Sequence, residues 1–226
     1  MQILKFRKNE DDIDMDYAIE ISNLTKKFKD RVIFENASLK VEKGKIYGIT
    51  GSNGCGKSVL FKMICGLILP QTGKIIVNKK ELTKGRFPED IGVLLDGAGL
   101  MPNETAYENL KSLAVINQIA SDKDIFESIQ RVGLNPKEKK KVKYYSAGMR
   151  KKLLIAQAIM EKPSLLLLDE PMNALDEESL EQMRGLFMEM KNKENVTIVM
   201  TSHNKEDIQL LCDEVYQIKD KHLDLS

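Results

Sequence analysis

The sequence predicts an α/β protein in which a mostly parallel sheet is interrupted by a lobe of helices. Fully apolar runs such as SLLLLD (164–169) and VTIVMTS (196–202) are typical of strands buried on both faces of a parallel sheet. From about residue 97 to residue 162, helical patterns dominate. A chain of 226 residues has room for one domain with an inserted lobe. We therefore expect a parallel α/β core that carries a helical lobe.

The predicted elements follow one another in a simple order after a polar lead-in over residues 1–16. Strands are predicted in AIEISNL, RVIFENASLKV, KIYGIT, GKIIVNKKEL (a strand with a turn) and IGVLL. A helix from Lys57 to Cys65 is stopped by Gly66 and Pro70. The lobe holds helices in ETAYENLKSLAVINQIA, in DKDIFESIQRVGL and from about Ala147 to Met160. Then come SLLLLD, a helix over 176–193, VTIVMTS, a short helix, and EVYQIK as the last strand.

The composition excludes several classes of protein. Lys plus Arg (35) nearly cancels Asp plus Glu (34), so the net charge of +1 gives no reason to expect nucleic acid as a partner. Three cysteines without ligand-type spacing indicate reduced thiols in a cytosolic protein. The charged N-terminus is not a signal peptide, and the apolar runs are too short to span a bilayer. Any role at a membrane must therefore come through a partner.

A loop suited to phosphate binding follows KIYGIT. Residues 51–58, GSNGCGKS, fit the pattern G-x-x-x-x-G-K-[ST] between a predicted strand and a predicted helix. Glycines let the backbone turn its N–H groups toward phosphate oxygens, and the helix N-terminus adds partial positive charge. Lys57 is expected to reach the β- and γ-phosphates, and the Ser58 hydroxyl to bind Mg²⁺. A glycine-rich turn with an incidental lysine is the weaker interpretation, because strand and helix both flank the loop.

Two carboxylates come directly after the buried run LLLL. Asp169 and Glu170 are therefore expected at the carboxyl edge of the sheet, where ligands bind in open α/β proteins. Asp169 suits the carboxylate linked to Mg²⁺, and Glu170 suits a general base that polarises an attacking water. A strand that ends in Asp-Glu is by itself often a solvated turn. The functional interpretation therefore depends on the phosphate loop.

A histidine and a second small polar stretch need an explanation of their own. His203 follows VTIVMTS and is expected at the same sheet edge, although a lone histidine is more often structural. Residues 145–152, YSAGMRKK, open a predicted helix. Ser146 is either an N-cap or, together with the free N–H groups of that helix, part of a second anion site.

Together these motifs resemble those of the nucleotide-binding subunit of ATP-binding-cassette (ABC) transporters. GSNGCGKS looks like the Walker A loop, LLLLDEP like Walker B, YSAGM like the signature LSGGQ, and NALD (173–176) like the D-loop. His203 resembles the switch histidine, and Phe28 in LTKKFKD lies where the family has its adenine-stacking aromatic. The resemblance covers about residues 17–218, and the order and spacing of the motifs are more specific than any one of them.

The resemblance implies a P-loop NTPase (RecA-like) core with an antiparallel β subdomain and an inserted α-helical subdomain. A single ABC ATPase domain then spans residues 1–226, with 17–96 and 163–218 as core and β subdomain and about 97–162 as helical subdomain. In this family two subunits pack head to tail, and each ATP lies between one subunit's Walker A loop and the other's signature. The implied cofactors are ATP and Mg²⁺, and a monomer is not expected to hydrolyse ATP efficiently.

The resemblance also assigns the site residues, in three sets. Glu170 and His203 are the catalytic pair. The Mg²⁺ set consists of Ser58, Asp169 and Asp96. Nucleotide contacts are assigned to Phe28, Gly51, Ser52, Asn53, Gly54, Cys55, Gly56, Lys57, Ser58, Val59, Ser146, Ala147, Gly148, Met149 and Asp176.

Three positions depart from the family pattern. Ala147 replaces a glycine and Met149 replaces the glutamine of the signature, in a form that resembles the branch that exports antibiotics, lantibiotics and other peptides. Asp96 stands where a glutamine usually touches Mg²⁺ and water and moves with the transmembrane partner. Aspartate is shorter and charged, so it either serves the metal through water or weakens the coupling. Gly97 and Gly99 make the segment hinge-like.

The leading hypothesis is the ATP-hydrolysing subunit of an ABC exporter of peptides, antibiotics or other amphipathic compounds. It would form an ATP-dependent homodimer or heterodimer and work with an integral-membrane permease at the cytoplasmic face of the membrane. A soluble ABC-type ATPase that is not coupled to transport is the alternative, disfavoured by a length without coiled-coil or zinc insertions. A silent nucleotide sensor is disfavoured by the retained Lys57, Asp169, Glu170 and His203. A P-loop kinase leaves residues 145–152 and 173–176 unexplained.

Overall fold

The computed structural model describes residues 16–95 and 99–225. The strands are β1 (Tyr17–Phe28), β2 (Arg31–Glu42), β3 (Ile46–Thr50), β4 (Thr72–Val77), β5 (Lys80–Glu81), β6 (Ile91–Leu94), β7 (Leu165–Leu168), β8 (Thr197–Thr201), β9 (Glu214–Lys219) and β10 (His222–Leu225). The α-helices are α1 (Lys57–Ile64), α2 (Ala106–Asn117), α3 (Asp122–Arg131), α4 (Ala147–Ile159), α5 (Glu177–Glu194) and α6 (Lys205–Leu211).

The strands form two sheets. The larger sheet has the order β10-β9-β3-β8-β7-β6, and every pairing in it is parallel except that of β10 with β9. The smaller sheet has the order β2-β1-β4-β5 and is antiparallel throughout. The predicted fold class is confirmed: a parallel core, an antiparallel β subdomain and an inserted group of helices.

The larger sheet is buried on both faces, as its apolar strands predict. In β7, Leu165 and Leu167 belong to the core that packs against α1 and the smaller sheet. Leu166 and Leu168 belong to the core formed with the helical lobe and α5. Because side chains alternate along a strand, the run of four leucines supplies both cores.

The helical lobe is built from α2, α3 and α4. The first two helices begin with capping boxes, in which Thr105 pairs with Glu108 and Ser121 with Asp124. Helix α3 packs against both α2 and α4, and α4 packs against β6 of the larger sheet. The lobe is therefore joined to the core chiefly through α4.

One strand was missed by the sequence analysis, which ends the sheet at EVYQIK. The chain turns back after β9, and β10 adds an antiparallel edge strand beyond residue 218. The turn residues Asp220 and Lys221 both have positive φ (46° and 71°), as in a two-residue hairpin turn. Because this turn lacks the glycine or asparagine that usually marks it, the sequence carries no strong hairpin signal.

Two further features of the described ranges bear on function. None of the helices within residues 16–95 and 99–225 is long and apolar enough to cross a bilayer.

A buried ion pair joins α5 to α6, since the Nε and Nη2 atoms of Arg184 donate to Oδ1 of Asp207 at 3.0 and 2.6 Å. These hydrogen bonds raise the pKa of the Arg184 guanidinium. The pair fixes the short helix that follows His203.

The order of the parallel strands brings three loops together. β8 lies between β3 and β7, and all three strands run in the same direction. Their carboxyl ends lead into the loop 51–56, into Asp169 and Glu170, and into Ser202 and His203. This edge is where open α/β sheets bind ligands, and it is the candidate site of the chain.

Candidate nucleotide-binding site

The glycine-rich loop has a shape that its sequence dictates. Gly51, Gly54 and Gly56 have φ values of 146°, 74° and 121°, which side-chain-bearing residues rarely adopt. A Cβ atom at Gly56 would lie 2.7 Å from Cγ2 of Ile33, so the loop also packs too closely there for any side chain. Helix α1 begins at the next residue, Lys57, and its N-terminus faces the loop.

The Lys57 side chain is curled into this loop. Its ammonium group donates to the carbonyl oxygens of Gly51 at 2.9 Å and Ser52 at 3.4 Å, and the residue is only 8% exposed. No carboxylate bonds to this ammonium among the described residues. The loop therefore holds a positive charge whose described partners are neutral carbonyls, an arrangement suited to an anionic ligand.

Asp169 is the best-anchored side chain at the sheet edge. Its Oδ2 accepts a hydrogen bond of 2.8 Å from the Ser58 hydroxyl, and its Oδ1 accepts one of 2.7 Å from the Thr201 hydroxyl. The residue is 4% exposed. These two bonds tie the ends of β7 and β8 to the start of α1 and fix both carboxylate oxygens.

Glu170 has an unusual backbone and an unusual side chain. Its φ is 51°, a left-handed conformation that costs a non-glycine residue on the order of 1–3 kcal/mol. Its N–H donates to Oγ1 of Thr201 at 2.8 Å. Both carboxylate oxygens are buried, and neither has a hydrogen-bond partner among the described residues. Such an orphaned group is costly and indicates a functional site.

His203 lies beside this carboxylate without satisfying it. Its Nε2 is 3.0 Å from Oε1 of Glu170, which is an ion-pair distance, while half of its own side chain is exposed. The same Oε1 atom counts as unbonded because the contact does not meet hydrogen-bond geometry. The two side chains are therefore close together without a hydrogen bond between them, and both face a cavity that a ligand can enter.

These side chains surround one cavity of about 330 Å³. Its lining consists of Asn53, Gly54, Lys57, Ser58, Lys151, Asp169, Glu170, Asn173 and His203. The cavity combines an ammonium group and the mouth of the glycine-rich loop on one side with a buried carboxylate on the other. It is suited to a phosphate group and a water molecule next to it.

A larger cavity of about 740 Å³ adjoins the same loop. It is lined by Gly51, Ser52, Gly54 and Cys55 of the loop, by residues 30–33 of β2 and the turn before it, and by residues 217–221 of β9 and the turn after it. Arg31 closes one side, since its Nη2 donates to the carbonyl oxygen of Gly54 at 2.8 Å. This cavity has room for the nucleoside end of a ligand whose phosphates occupy the loop.

Phe28 does not line either of these cavities. It ends β1, is 44% exposed, and carries the Lys26 ammonium 4.8 Å from its ring centroid. Its pairing partner across the turn is Arg31, which contacts the loop. The ring is thus connected to the loop through the hairpin between β1 and β2.

The second predicted anion site is a separate place on the chain. Ser146 caps α4, because its hydroxyl accepts from the N–H of Met149 at 3.1 Å. A Cβ atom at Gly148 would lie 3.0 Å from the carbonyl oxygen of Ala174, so this helix start packs closely on the segment before α5. Asp176 caps α5, and hydrogen bonds from Ser179 lower the pKa of its carboxyl group.

A cavity of about 250 Å³ lies at the starts of these two helices. Its lining consists of Gly133, Leu134, Asn135, Glu138, Tyr145, Ser146, Gly148, Met149, Lys152, Asp176 and Ser179. None of these residues lines the cavity of the glycine-rich loop. One chain therefore presents two separate sites that each suit an anion.

The predicted site residues fall into groups. The cavity of about 330 Å³ gathers Asn53, Gly54, Lys57, Ser58, Asp169, Glu170 and His203, while Gly51, Ser52 and Cys55 line the larger cavity. Gly56 caps α1, and Val59 is half-buried in that helix. Ser146, Gly148, Met149 and Asp176 line the third cavity, and Ala147 is exposed beside them. Asp96 and Gly97 lie outside the described residues.

Three residues of the site were missed by the sequence analysis. Thr201 bonds both to Asp169 and to the backbone of Glu170, and the signal for it was a hydroxyl at the end of the strand beside β7. Arg31 contacts the glycine-rich loop. Lys151 of α4 lines the cavity of about 330 Å³ and donates a hydrogen bond to the carbonyl oxygen of Glu170. These last two contacts join distant parts of the chain, so no local pattern reveals them.

Comparison with known proteins identifies the family. The family model described as ABC transporter matches residues 34–173. The uncharacterized ABC transporter ATP-binding protein YybJ of Bacillus subtilis is 45% identical, over 92% of this chain and 95% of that protein. The bacitracin transport ATP-binding protein BcrA of Enterococcus faecalis is 34% identical, over 92% of this chain and 68% of that protein.

A solved structure has the same fold. The dimeric post-hydrolysis structure of the ATP-binding cassette MJ0796 with ADP and Pi superposes with a TM-score of 0.81 at 22% identity, covering 91% of this chain and 96% of that one. With the family model spanning more than half of the chain, the conclusion is direct: the chain belongs to the ABC transporter family, as one of its ATP-binding subunits.

Proposed function

We propose that this chain hydrolyses ATP in a site completed by a second subunit, and that it thereby powers a separate membrane permease. The observation that carries the proposal is the presence of two anion-suited cavities that share no lining residue. A single ATP cannot occupy both in one chain. A head-to-tail pair would bring the glycine-rich loop of one subunit to the Ser146 helix start of the other, and each nucleotide would contact both.

Within one subunit, the glycine-rich loop and Lys57 would bind the phosphates. Backbone N–H groups of residues 51–58 and the N-terminus of α1 would contact the β-phosphate, and the ammonium of Lys57 would reach the γ-phosphate. Phe28 would stack on the adenine with the ring face opposite Lys26. Arg31 would hold the nucleoside side of the loop in place.

The site also fits Mg²⁺. Ser58 Oγ and Asp169 Oδ2 are 2.8 Å apart and line the catalytic cavity, and oxygen atoms are the ligands that Mg²⁺ prefers. The described residues contain no cluster of three or more His, Cys, Asp and Glu side chains that would hold a metal alone. Phosphate oxygens and water would therefore complete the set. A bound Mg²⁺ would neutralise charge on the phosphates as the bond to the γ-phosphate breaks.

Glu170 has the environment of a general base. Its buried, unbonded carboxylate would accept a proton from a water molecule positioned in line with the γ-phosphate. His203, 3.0 Å from that carboxylate, would contact the γ-phosphate and the water. The Glu170 oxygens that lack a partner among the described residues would thus be the ones that the reaction uses.

The signature residues would serve the partner's nucleotide. The Ser146 hydroxyl and the N–H groups at the start of α4 would contact the partner's γ-phosphate. Ala147, Gly148 and Met149, which form the first turn of α4, would lie next to that phosphate. Asp176 caps the next helix at the same cavity and would contact the partner across the interface. Closure of the dimer would therefore depend on ATP.

For the transported substrate, we propose peptide antibiotics or similar amphipathic compounds. Support comes from the S-x-G-M form of the signature and from the similarity to BcrA, a bacitracin transport protein by name.

The chain would lie on the cytoplasmic face of the membrane, bound to its permease. A groove in the helical lobe, lined by apolar residues such as Leu100 and Leu154, offers a docking place for that permease. Co-purification with a permease separates this function from that of a soluble ABC-type ATPase.

Replacing Lys57 by alanine should weaken ATP binding and leave the fold intact. The change removes charge-assisted contacts worth about 1.5–3 kcal/mol, which corresponds to an affinity loss of about 10- to 10²-fold. ATP affinity would be measured by calorimetry. Lys62→Ala removes an exposed lysine from the same helix and is the matched control. Equal affinity in Lys57→Ala and wild type would refute the assignment.

The Glu170→Gln variant should bind ATP but fail to hydrolyse it. The amide keeps the size of the side chain and loses the basic oxygen, which typically costs about 10²- to 10⁴-fold in rate. ATP should then trap the closed dimer, visible as a doubled mass in size-exclusion chromatography. Glu189→Gln, an exposed carboxylate on α5, should behave like wild type. Wild-type turnover by Glu170→Gln would exclude the general-base role.

For Asp96, we propose a role in coupling rather than in direct metal binding, because the aspartate is shorter than the glutamine it replaces. The Asp96→Asn variant should then hydrolyse ATP normally as an isolated subunit, and lose activity only when the permease is present. The measurement is the Mg²⁺ concentration that gives half-maximal ATPase activity in both preparations. A clear shift in that concentration for the isolated subunit would instead assign Asp96 to the metal.

A further inference from the structure

Lys151 enters the catalytic cavity from a distant part of the sequence. It lies on α4, the helix that Ser146 caps at the other anion site, and it lines the cavity together with Lys57 and Glu170. Its Nζ donates to the backbone carbonyl oxygen of Glu170 at 3.0 Å. Neither the sequence motifs nor the proposed chemistry gives this lysine a role.

The contact falls on a backbone position of the site that has a left-handed conformation. Glu170 has a φ of 51°, and a side-chain-bearing residue keeps this conformation only when its surroundings fix it. The N–H of Glu170 is held by Thr201 from β8. The carbonyl oxygen accepts from Lys151 of α4 at 3.0 Å and, more weakly, from the N–H of Asn173 at 3.4 Å. Two side chains from different elements therefore hold the peptide groups on both sides of the Glu170 Cα atom.

The direction of the Glu170 side chain follows from this backbone. Its carboxylate oxygens have no hydrogen-bond partner among the described residues. No hydrogen bond from these residues therefore fixes the orientation of the carboxylate. The orientation then depends on the Cα position and on packing. A hydrogen bond from a charged donor is stronger than one from a neutral donor, which suits Lys151 to this task.

We propose that Lys151 is a positioning residue that holds Glu170 in its catalytic orientation. The inference rests on the proposed role of Glu170 as the general base. Loss of the contact would let the Glu170 backbone relax and move the carboxylate away from the water. Misplacement of a reacting group by about 1 Å can cost 10²-fold in rate. Binding of ATP, which depends on the glycine-rich loop, would be preserved.

A different role for Lys151 would be direct contact with the phosphates, and the two roles differ in what a variant loses. A positioning residue affects turnover and acts only through Glu170. A phosphate ligand affects the affinity for ATP whether or not Glu170 is present. Double variants separate these cases, because two changes that act through one group are not additive.

The experiment measures ATP affinity and steady-state turnover of the full chain for Lys151→Met, Lys151→Arg, Glu170→Gln and the double variant. Lys123→Met, an exposed lysine on α3, is the control. We expect Lys151→Met to lower kcat by about 10- to 10²-fold, with ATP affinity within about twofold of wild type. Lys151→Arg, which keeps a charged donor, should recover part of the loss. The double variant should be as slow as Glu170→Gln alone.

Three results would overturn the inference: an unchanged kcat in Lys151→Met, a loss confined to ATP affinity, or a further drop of the same size in the Glu170→Gln background. Thermal melting checks each variant, and Lys151→Gln replaces Lys151→Met if the latter does not fold. Wild-type turnover in Glu170→Gln would instead overturn the general-base role itself. A slow Glu170→Gln with a fully active Lys151→Met would overturn only the role of Lys151.

Discussion

The candidate site depends on one buried carboxylate, that of Asp169. Its two oxygens accept hydrogen bonds from Ser58 at 2.8 Å and from Thr201 at 2.7 Å. Those donors lie at the start of α1 and at the end of β8, so one side chain fixes the relative positions of three elements. A buried carboxylate is stable only when its oxygens are bonded, and here the bonds also fix the carboxylate that we propose as a Mg²⁺ ligand. The carboxylate oxygens of Glu170 next to it have no hydrogen-bond partner within residues 16–95 and 99–225, and this contrast supports the proposal that Glu170 is the reactive carboxylate.

The fold could be predicted from the sequence to the extent that local patterns determine it. The run LLLL supplies two cores because it is apolar at every position, and capping residues mark the starts of the lobe's helices. β10 was missed because Asp220 and Lys221 form its turn without a glycine. The three residues missed at the site, Thr201, Arg31 and Lys151, act through contacts between elements far apart in the chain. Periodicity reports which face of an element is buried, but not which side chain of another element meets it.

The motif residues could be placed for a different reason. In the glycine-rich loop and at the acidic strand end, the functional groups lie on consecutive residues. Lys57, Ser58, Asp169 and Glu170 could therefore be identified from sequence spacing alone. Ser146 illustrates the limit of that reasoning. The structure shows it as the N-cap of α4, which was one of two interpretations. The other interpretation, an anion site at the same helix start, stays a prediction. The two interpretations are compatible. Only the position of a partner subunit would show whether this helix start also binds the nucleotide of that partner.

The central claim is that each active site needs residues of two chains, and mixing two inactive variants tests it most directly. Lys57→Ala removes the lysine of the glycine-rich loop, and Gly148→Asp places a bulky negative side chain at the start of α4, beside the carbonyl oxygen of Ala174. Each variant alone should be inactive, since both of its composite sites are damaged. A mixed dimer has one site in which both halves are intact, so mixing should restore a substantial part of the wild-type ATPase rate. Absence of any recovery, when native mass spectrometry shows that mixed dimers form, would contradict the composite site and indicate that one chain hydrolyses ATP alone.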